Sequence, residues 1–479
     1  MTTITTLEGG TVRLDRELEA LADDLAGRLI REGDPDYEQA RALWNGLTPR
    51  RPAAIARCTS TADVCRAVRF AADHDLLVAV RGGGHNVAGT AGVDGGLVID
   101  LSDLRDIEVQ PERSRTRAGG GTTFAELDAA TQQHGLAVPG GVVSATGIGG
   151  LTLSGGIGWL RRKYGLTCDN LVGATLVTAD GEVHHVDEHH DPELLWGLRG
   201  GGGNFGVVTE FIYRLHAVGP EVFAALVVVP GDRAVEALRG YRDWTSNLPD
   251  EVSSMAVCGS IPAEQAIAEE HWEAPGVILA ACAATDLTRG EHLVEPLRDL
   301  GDPIADLSGA LPYVDMQQVF DADYPDGMRY YWRSLHLPGL TDEVIGRAVD
   351  WMDSRPSKES TIDFWHLGGQ LSRVAPDATA YGDRSAPFLL GIESNWRDPA
   401  EDGANLQWTR ECAEAFAPLS TGREYLNFPG FLESGERTLR AAHGEQNHAR
   451  LRRLKHRLDP DNRFRLHQNI TADPRPTGS

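Results

Sequence analysis

Apolar and polar residues change their period several times along the chain. From Asp15 to Leu29 the apolar positions recur at helical spacing. Thr61–His74 repeats that pattern behind Thr59 and Ser60, either of which can cap a helix. Short apolar runs at Ile55–Arg57, Leu77–Val80 and Leu97–Asp100 read as strands, and Phe124–His134 as a helix. Leu171–Thr178 is a strand ending at the turn Asp180-Gly181, Glu193–Arg199 a short helix, and Val207–Leu215 a further strand. Beyond residue 220 the rhythm lengthens. Strand-like Val222–Val229, Gly276–Ala284, Thr361–Leu367 and Phe388–Ser394 are interspersed with helix-patterned Ala234–Ser246, Arg289–Leu300 and Asp342–Arg355. Long strands with helices to one side predict an α+β layer. Gly435–Leu458 is helix-patterned, and Asp473–Ser479 reads as a loose end. No internal repeat interrupts the pattern.

Glycine sharpens this division. The chain has 54, crowded between about residues 50 and 217 and sparse from about 220 to 420. The strand ending at Val80 runs straight into Arg81-Gly82-Gly83-Gly84-His85-Asn86-Val87-Ala88-Gly89, a loop able to turn several N–H groups inward as an anion-binding nest. No helix follows at the spacing of a GxGxxG dinucleotide motif, and no GK[ST] is present. Gly147–Gly158 holds six glycines in twelve residues, and Gly200-Gly201-Gly202-Gly203-Asn204-Phe205-Gly206 is denser still. Three such loops beside apolar runs point to one extended ligand touched by bare backbone. Turns alone would draw more on Asn, Asp and Pro.

Charge narrows the partners. Asp plus Glu number 70 against 45 Lys plus Arg, a formal charge of −25, so nucleic acid and anionic membrane surfaces are poor partners. No stretch approaches the roughly 20 apolar residues that cross a bilayer. The N-terminus has neither a basic start nor an apolar run, and the six cysteines form no CxxC pair. A cytoplasmic, reduced protein is expected, a monomer or homodimer acting on a small molecule. His184-His185-Val186-Asp187-Glu188-His189-His190 lacks any defined ligand spacing and reads as a solvated acidic loop, so no metal site is expected.

The run Arg81–Gly89, Leu160–Asn170 (LRRKYGLTCDN), Leu195–Gly206 (LWGLRGGGGNFG) and Leu458–Ile470 (LDPDNRFRLHQNI) resembles the berberine-bridge-enzyme-like flavoproteins, which have the vanillyl-alcohol-oxidase (PCMH) type of FAD-binding fold. The similarity runs from about Trp44 to Ile470. It implies an N-terminal helical segment over 1–46 and a two-part FAD-binding domain over 47–217. An inserted antiparallel-sheet substrate domain covered by helices would follow over 218–424, with 425–479 returning to the FAD domain.

The same resemblance implies site residues. The histidine after the glycine triplet, His85, would be joined to the 8α-methyl of the flavin, and neutral imidazole is a competent nucleophile for that bond. The second, cysteinyl link of many relatives falls here on Val143, which cannot form a thioether, and Cys168 lies on the wrong side of the glycine cluster. One covalent bond is expected. Arg81, Gly82, Gly83, Gly84, Asn86, Thr146, Gly147, Gly149, Gly150, Ser154, Gly155, Gly156, Gly158, Val208, Asn427 and Asn469 would surround the cofactor. Tyr425, in Tyr425-Leu426-Asn427-Phe428, is the implied general base, needing a cation or hydrogen bonds to favour its phenolate; Arg423 is its nearest cation along the chain. Strand alternation places Trp365 and Leu367, with Gln370 beyond them, on one side and His366 on the other, while Glu393 and Asn395 share another strand-like run. Trp365, Gln370, Glu393 and Asn395 are the expected substrate lining.

Hydride would pass from a hydroxyl-bearing carbon of a sugar, polyol or other alcohol to flavin N5, and electrons then to O2, giving hydrogen peroxide. Thr146, just before the GxGG glycine, would influence oxygen access. Oxidation of a C–N bond, oxidative ring closure, a non-oxygen acceptor and flavin binding without turnover are the alternatives.

Overall fold

The computed structural model describes residues 2–431 and 435–472, so the expected loose end at 473–479 lies outside the described residues. Three sheets organise the chain. In the first, Arg28–Arg31, Ala54–Arg57, Leu97–Asp100 and Val78–Arg81 lie side by side in that order, the last three mutually parallel. Thr61–Asp73 covers this sheet as a helix, and Ser60 is its cap, its Oγ accepting from the Asp63 N–H at 3.2 Å. The second sheet is antiparallel, in the order Val183–Asp187, Leu171–Val177, Val207–Arg214, Arg115–Gly119, Ile107–Gln110. The expected histidine-rich loop is thus largely a strand: His184 and His185 pair with Leu176 and Thr175, because the turn at Asp180-Gly181 folds the chain back as a hairpin.

The third sheet has eight antiparallel strands, and its centre carries the site. Val252–Ser260, Thr361–His366, Phe388–Trp396 and Arg329–Leu337 are neighbours in that order. Alternation sends Ile362, Phe364, Leu390 and Ile392 into a core beneath the helices Ala234–Thr245, Asp342–Asp353 and Asp402–Phe416. The other face presents Trp365, Leu389 and Met255 to the glycine-rich half. The strand Val252–Ser260 has no clear apolar alternation because its polar residues are also buried. Ser254 accepts from Arg161 through its carbonyl, and its hydroxyl is bonded to Tyr241. Arg161 and Arg162, both buried, spend their guanidinium donors on carbonyls of His366, Leu367, Ser254 and Val252. They fasten the substrate sheet to the glycine-rich half without an acidic partner at these carbonyls.

Two helical expectations change. Gly435–Leu458 is two helices, Gly435–His443 and Glu445–Leu458, broken at Gly444, whose φ of +77° no helix accommodates. Asp15–Leu29 is a helix only to Asp24, and the chain then enters the first sheet. Leu439, Ala442, Leu451, Leu454 and Ile470 pack into the core of the second sheet, so the C-terminal segment closes back on the glycine-rich half.

Candidate active site

A cavity lies where the three sheets meet. Its walls are the loop after Val78–Arg81, the Val143–Ile157 segment, the end of the third glycine cluster, the Tyr425–Phe428 turn, residues 464–468 and the inner face of the substrate sheet. Gly82, Gly83, Gly84, His85, Asn86, Thr146, Gly147, Gly149, Gly150, Ser154, Val208, Asn427, Tyr425, Trp365 and Glu393 all line it.

The glycines do two different jobs. A Cβ on Gly83 would sit 2.6 Å from the Gly147 nitrogen, and one on Gly147 would sit 2.5 Å from the Gly83 nitrogen. These two loops therefore cross backbone against backbone, and the missing side chains admit each other rather than a ligand. At Gly150, by contrast, a Cβ would meet nothing within 4 Å, and that position faces the cavity. Gly155, Gly156 and Gly158 do not line the cavity; they shape the turn behind it. Arg81 is also outside, its guanidinium donating to the Ala40 carbonyl.

His85 is half-buried, and its Nε2 is buried with no hydrogen-bond partner in the protein. Burial holds its pKa down at about 4, so the ring is neutral at physiological pH. His467, half-buried in the lining, has both ring nitrogens buried and unpartnered; Asn469, whose Oδ1 is also an orphan, lies outside the lining. Buried polar atoms without partners are rare in a folded chain. Gathered around a glycine-floored cavity, they fit a flavin dinucleotide whose polar edges would satisfy them.

Tyr425 is 3% exposed. Its phenolic oxygen is approached by three N–H groups: Gly156 at 3.2 Å, Ile157 at 3.1 Å and Asn427 Nδ2 at 2.9 Å. The Tyr425 N–H donates to Ser334 Oγ on the substrate sheet, which fixes the segment. Burial pushes the phenol up, the three hydrogen bonds pull it down, and the balance stands at about 12. Arg423 takes no part; it turns away to Asp383 and the Ala442 carbonyl.

Across the cavity the chemistry is acidic. Asp363 lies opposite Gly391, and Glu393 is two residues farther along the same face, so the two carboxyl groups meet diagonally over Gly391. Both Asp363 oxygens and Glu393 Oε1 lack a hydrogen-bond partner, and two buried carboxyls this close do not ionise together readily. Burial pushes Glu393 up to about 7 and Asp363 well above the usual range. Tyr324 donates to Glu393 Oε2 at 2.9 Å, while Oε1 and the Trp365 Nε1 remain unpartnered.

Residues 52–187 match the FAD binding domain family, and residues 424–471 match the berberine and berberine-like family. The (R)-6-hydroxynicotine oxidase of Paenarthrobacter nicotinovorans is 31% identical over 94% of this chain and 97% of its own length. An FAD-linked oxidoreductase of Dictyostelium discoideum is 30% identical over 94% of this chain and 95% of its own. The chain belongs to the berberine-bridge-enzyme-like FAD-linked oxidoreductases. Its backbone agrees with that of 6-hydroxy-D-nicotine oxidase from Arthrobacter nicotinovorans, with a TM-score of 0.83 at 28% identity, covering 96% and 99% of the two chains. The fold is accordingly the PCMH-type α+β architecture, and the cofactor is FAD.

Within this oxidoreductase, Val143, the position expected to replace a second linking cysteine, lines the cavity. Cys168 is fully buried outside the lining, its thiol raised well above its ordinary range by burial. Two expected lining residues fall elsewhere. Gln370 sits in the short helix Gln370–Arg373, because Gly368 and Gly369, both at positive φ, turn the chain away after the strand ends at His366. Asn395 is on the correct face, but its side chain is consumed by Trp332 Nε1 at 2.7 Å and the Glu359 carbonyl at 2.9 Å. Missed were Tyr324, Trp332, Leu389, Phe428 and His467 of the lining, and Asp363 behind it. His467 was findable, since it stands inside the LDPDNRFRLHQNI segment.

Proposed function

We propose that the protein is an oxidase of a hydroxyl-bearing carbon in a small polyol, sugar or other alcohol, with Tyr425 as the base and FAD joined covalently through His85. Bound flavin supplies the hydride acceptor. The observation that carries the reading is the trio of donors on the Tyr425 oxygen. A neutral phenol has two lone pairs and a proton of its own to place; three N–H groups aimed at one oxygen suit the phenolate. Tyr425 removes the substrate hydroxyl proton, and Gly156, Ile157 and Asn427 lower the cost of preparing its charge. Trp332, Trp365 and Phe428 form an apolar wall that excludes water and holds a carbon skeleton, while Glu393 Oε1 and Trp365 Nε1 offer one acceptor and one donor for a second hydroxyl. For His85, the unpartnered and neutral imidazole in the cavity wall supports the attachment.

Amine oxidation is the second reading, favoured by the 6-hydroxynicotine oxidase likeness and by an acid pair able to become anionic beside a cation. Mixing the oxidised holoenzyme anaerobically with sugars, polyols, simple alcohols and secondary amines separates the two. Bleaching of the flavin by hydroxyl compounds but not amines is expected, followed by peroxide release when air is admitted. Bleaching by amines alone would overturn the alcohol reading, and reoxidation only by an added quinone would overturn the oxidase.

A further inference from the structure

His85 is held by a ring rather than by a side-chain hydrogen bond. Its imidazole lies 4.0 Å from the Trp44 ring centroid at an interplanar angle of 16°, and Trp44 lies 3.7 Å from Tyr330 at 9°. The three rings form one stack, from the glycine loop through the N-terminal segment to the substrate sheet. Trp44 cannot drift. Its Nε1 donates to the Tyr324 carbonyl at 2.9 Å, and its own carbonyl accepts from the Gly327 N–H at 2.8 Å. The next residue, Asn45, is 1% exposed and ties both sides together. Its Nδ2 donates to the Val87 carbonyl, two residues past His85, at 2.6 Å and to the Tyr330 carbonyl at 2.8 Å, while its Oδ1 accepts from the Tyr330 N–H. Gly46 follows so closely on Gly327 that a Cβ would sit 2.2 Å from that carbonyl oxygen.

Histidines that use one ring nitrogen chemically are usually oriented by a hydrogen bond to the other. Among the described residues no side chain offers one here, and the only hydrogen bond to the ring comes from the backbone of His85 itself. A flat, braced indole face substitutes for it, because an imidazole stacked at van der Waals distance keeps its tilt while both nitrogens stay at the ring edge. Resting on the covalent reading of His85 above, we infer that Trp44 is a positioning residue for flavin attachment: its braced ring sets the imidazole plane toward the cofactor. In that step one bond forms between an imidazole nitrogen and the 8α-methyl carbon. One C–H and one N–H proton are lost to water, and the two electrons left in the flavin pass to O2. Orientation matters because intramolecular bond formation depends steeply on alignment of the reacting atoms.

The test uses purified holoenzyme of the parent, Trp44→Phe, Trp44→Leu and Tyr330→Leu. Total flavin is read from visible absorbance before acid precipitation and the covalent share from the colour kept by the pellet. The parent and Trp44→Phe should keep nearly all of their flavin. Trp44→Leu, which is apolar but has no ring face, should release more than half of it at unchanged total loading. Equal covalent shares for Leu and Phe would overturn the inference. Should Trp44→Leu yield no soluble holoprotein, Tyr330→Leu decides by the same measure, a lowered share supporting the stack and an unchanged one overturning it. A parent that itself releases its flavin into acid would instead overturn the covalent reading, so the two failures are distinguishable.

Discussion

Two tyrosines line the same cavity, Tyr425 buried and Tyr324 half-buried, and their oxygens have opposite surroundings. Around Tyr425 every near group donates: two backbone N–H groups of the glycine turn and the Asn427 amide. Tyr324 instead donates to Glu393, and both burial and that carboxyl drive its phenol well above the ordinary value. Side-chain type is the same, so it does not make the base. The sign of the local field does. The donor-rich wall is built mainly from backbone, with the Asn427 amide added; the acid-rich wall is built from side chains on the substrate sheet. Charge can be prepared on one side and kept neutral on the other, which is the arrangement a proton-and-hydride removal needs.

The largest effect should come from Tyr425→Phe. Loss of a general base typically costs 10²–10⁴-fold, so flavin reduction followed anaerobically by stopped flow should slow by about that factor. A rate within about threefold of the parent, under ~0.7 kcal/mol of barrier, would show that the donor-rich wall serves something other than proton removal. Next comes Asn427→Ala, which removes one of the three donors. A hydrogen bond to a charged group contributes about 1.5–3 kcal/mol, so the reductive rate should fall by about 10–100-fold at fixed pH. The pH dependence follows in sign. Tyr425 acts as its phenolate and stands at about 12, so the rate should climb with pH through the neutral and mildly alkaline range. Asn427→Ala raises that pKa further and should shift the climb to higher pH.

Much of this contrast is invisible in the chain itself. The glycine loops, the helix over Thr61–Asp73 and the strands of the substrate sheet announce themselves through local period and turn chemistry. Their function does not. Bare backbone looks the same whether it borders an open cavity, as Gly150 does, or another loop, as Gly83 and Gly147 do. Family resemblance points to His85 and Tyr425, but it transfers positions and not surroundings; adjacency in sequence suggests Arg423 as the partner of Tyr425, whereas two of its three donors come from residues 156 and 157, more than 260 positions away. The acid pair is a matter of register. Asp363 and Glu393 are 30 residues apart and meet only because Thr361–His366 pairs with Phe388–Trp396 with Asp363 opposite Gly391. Alternation alone could place Asn395 on the right face, but not reveal that Trp332 and Glu359 already occupy it.

A smaller effect should appear on the acid wall. Glu393 stands at about 7, pushed up by burial, so the parent should show an inflection in KM near neutrality as its proton leaves with rising pH. Glu393→Gln cannot ionise and should flatten that inflection while changing the limiting reductive rate only a few-fold. Retention of the inflection in the variant would assign it to another group.

Tyr324→Phe sharpens the comparison most, because the change made is the same one as in Tyr425→Phe. It removes a single hydrogen bond to Glu393 and leaves the ring packed against Tyr330 and Trp332. That bond favours the ionised carboxylate, so its loss should move the neutral-pH inflection upward and leave flavin reduction within about threefold, ~0.7 kcal/mol, of the parent. Were Tyr324→Phe to slow reduction as severely as Tyr425→Phe, the two walls would not differ in kind, and proton removal would have to be traced through Tyr324 and Glu393 instead of the oxygen held by Gly156, Ile157 and Asn427.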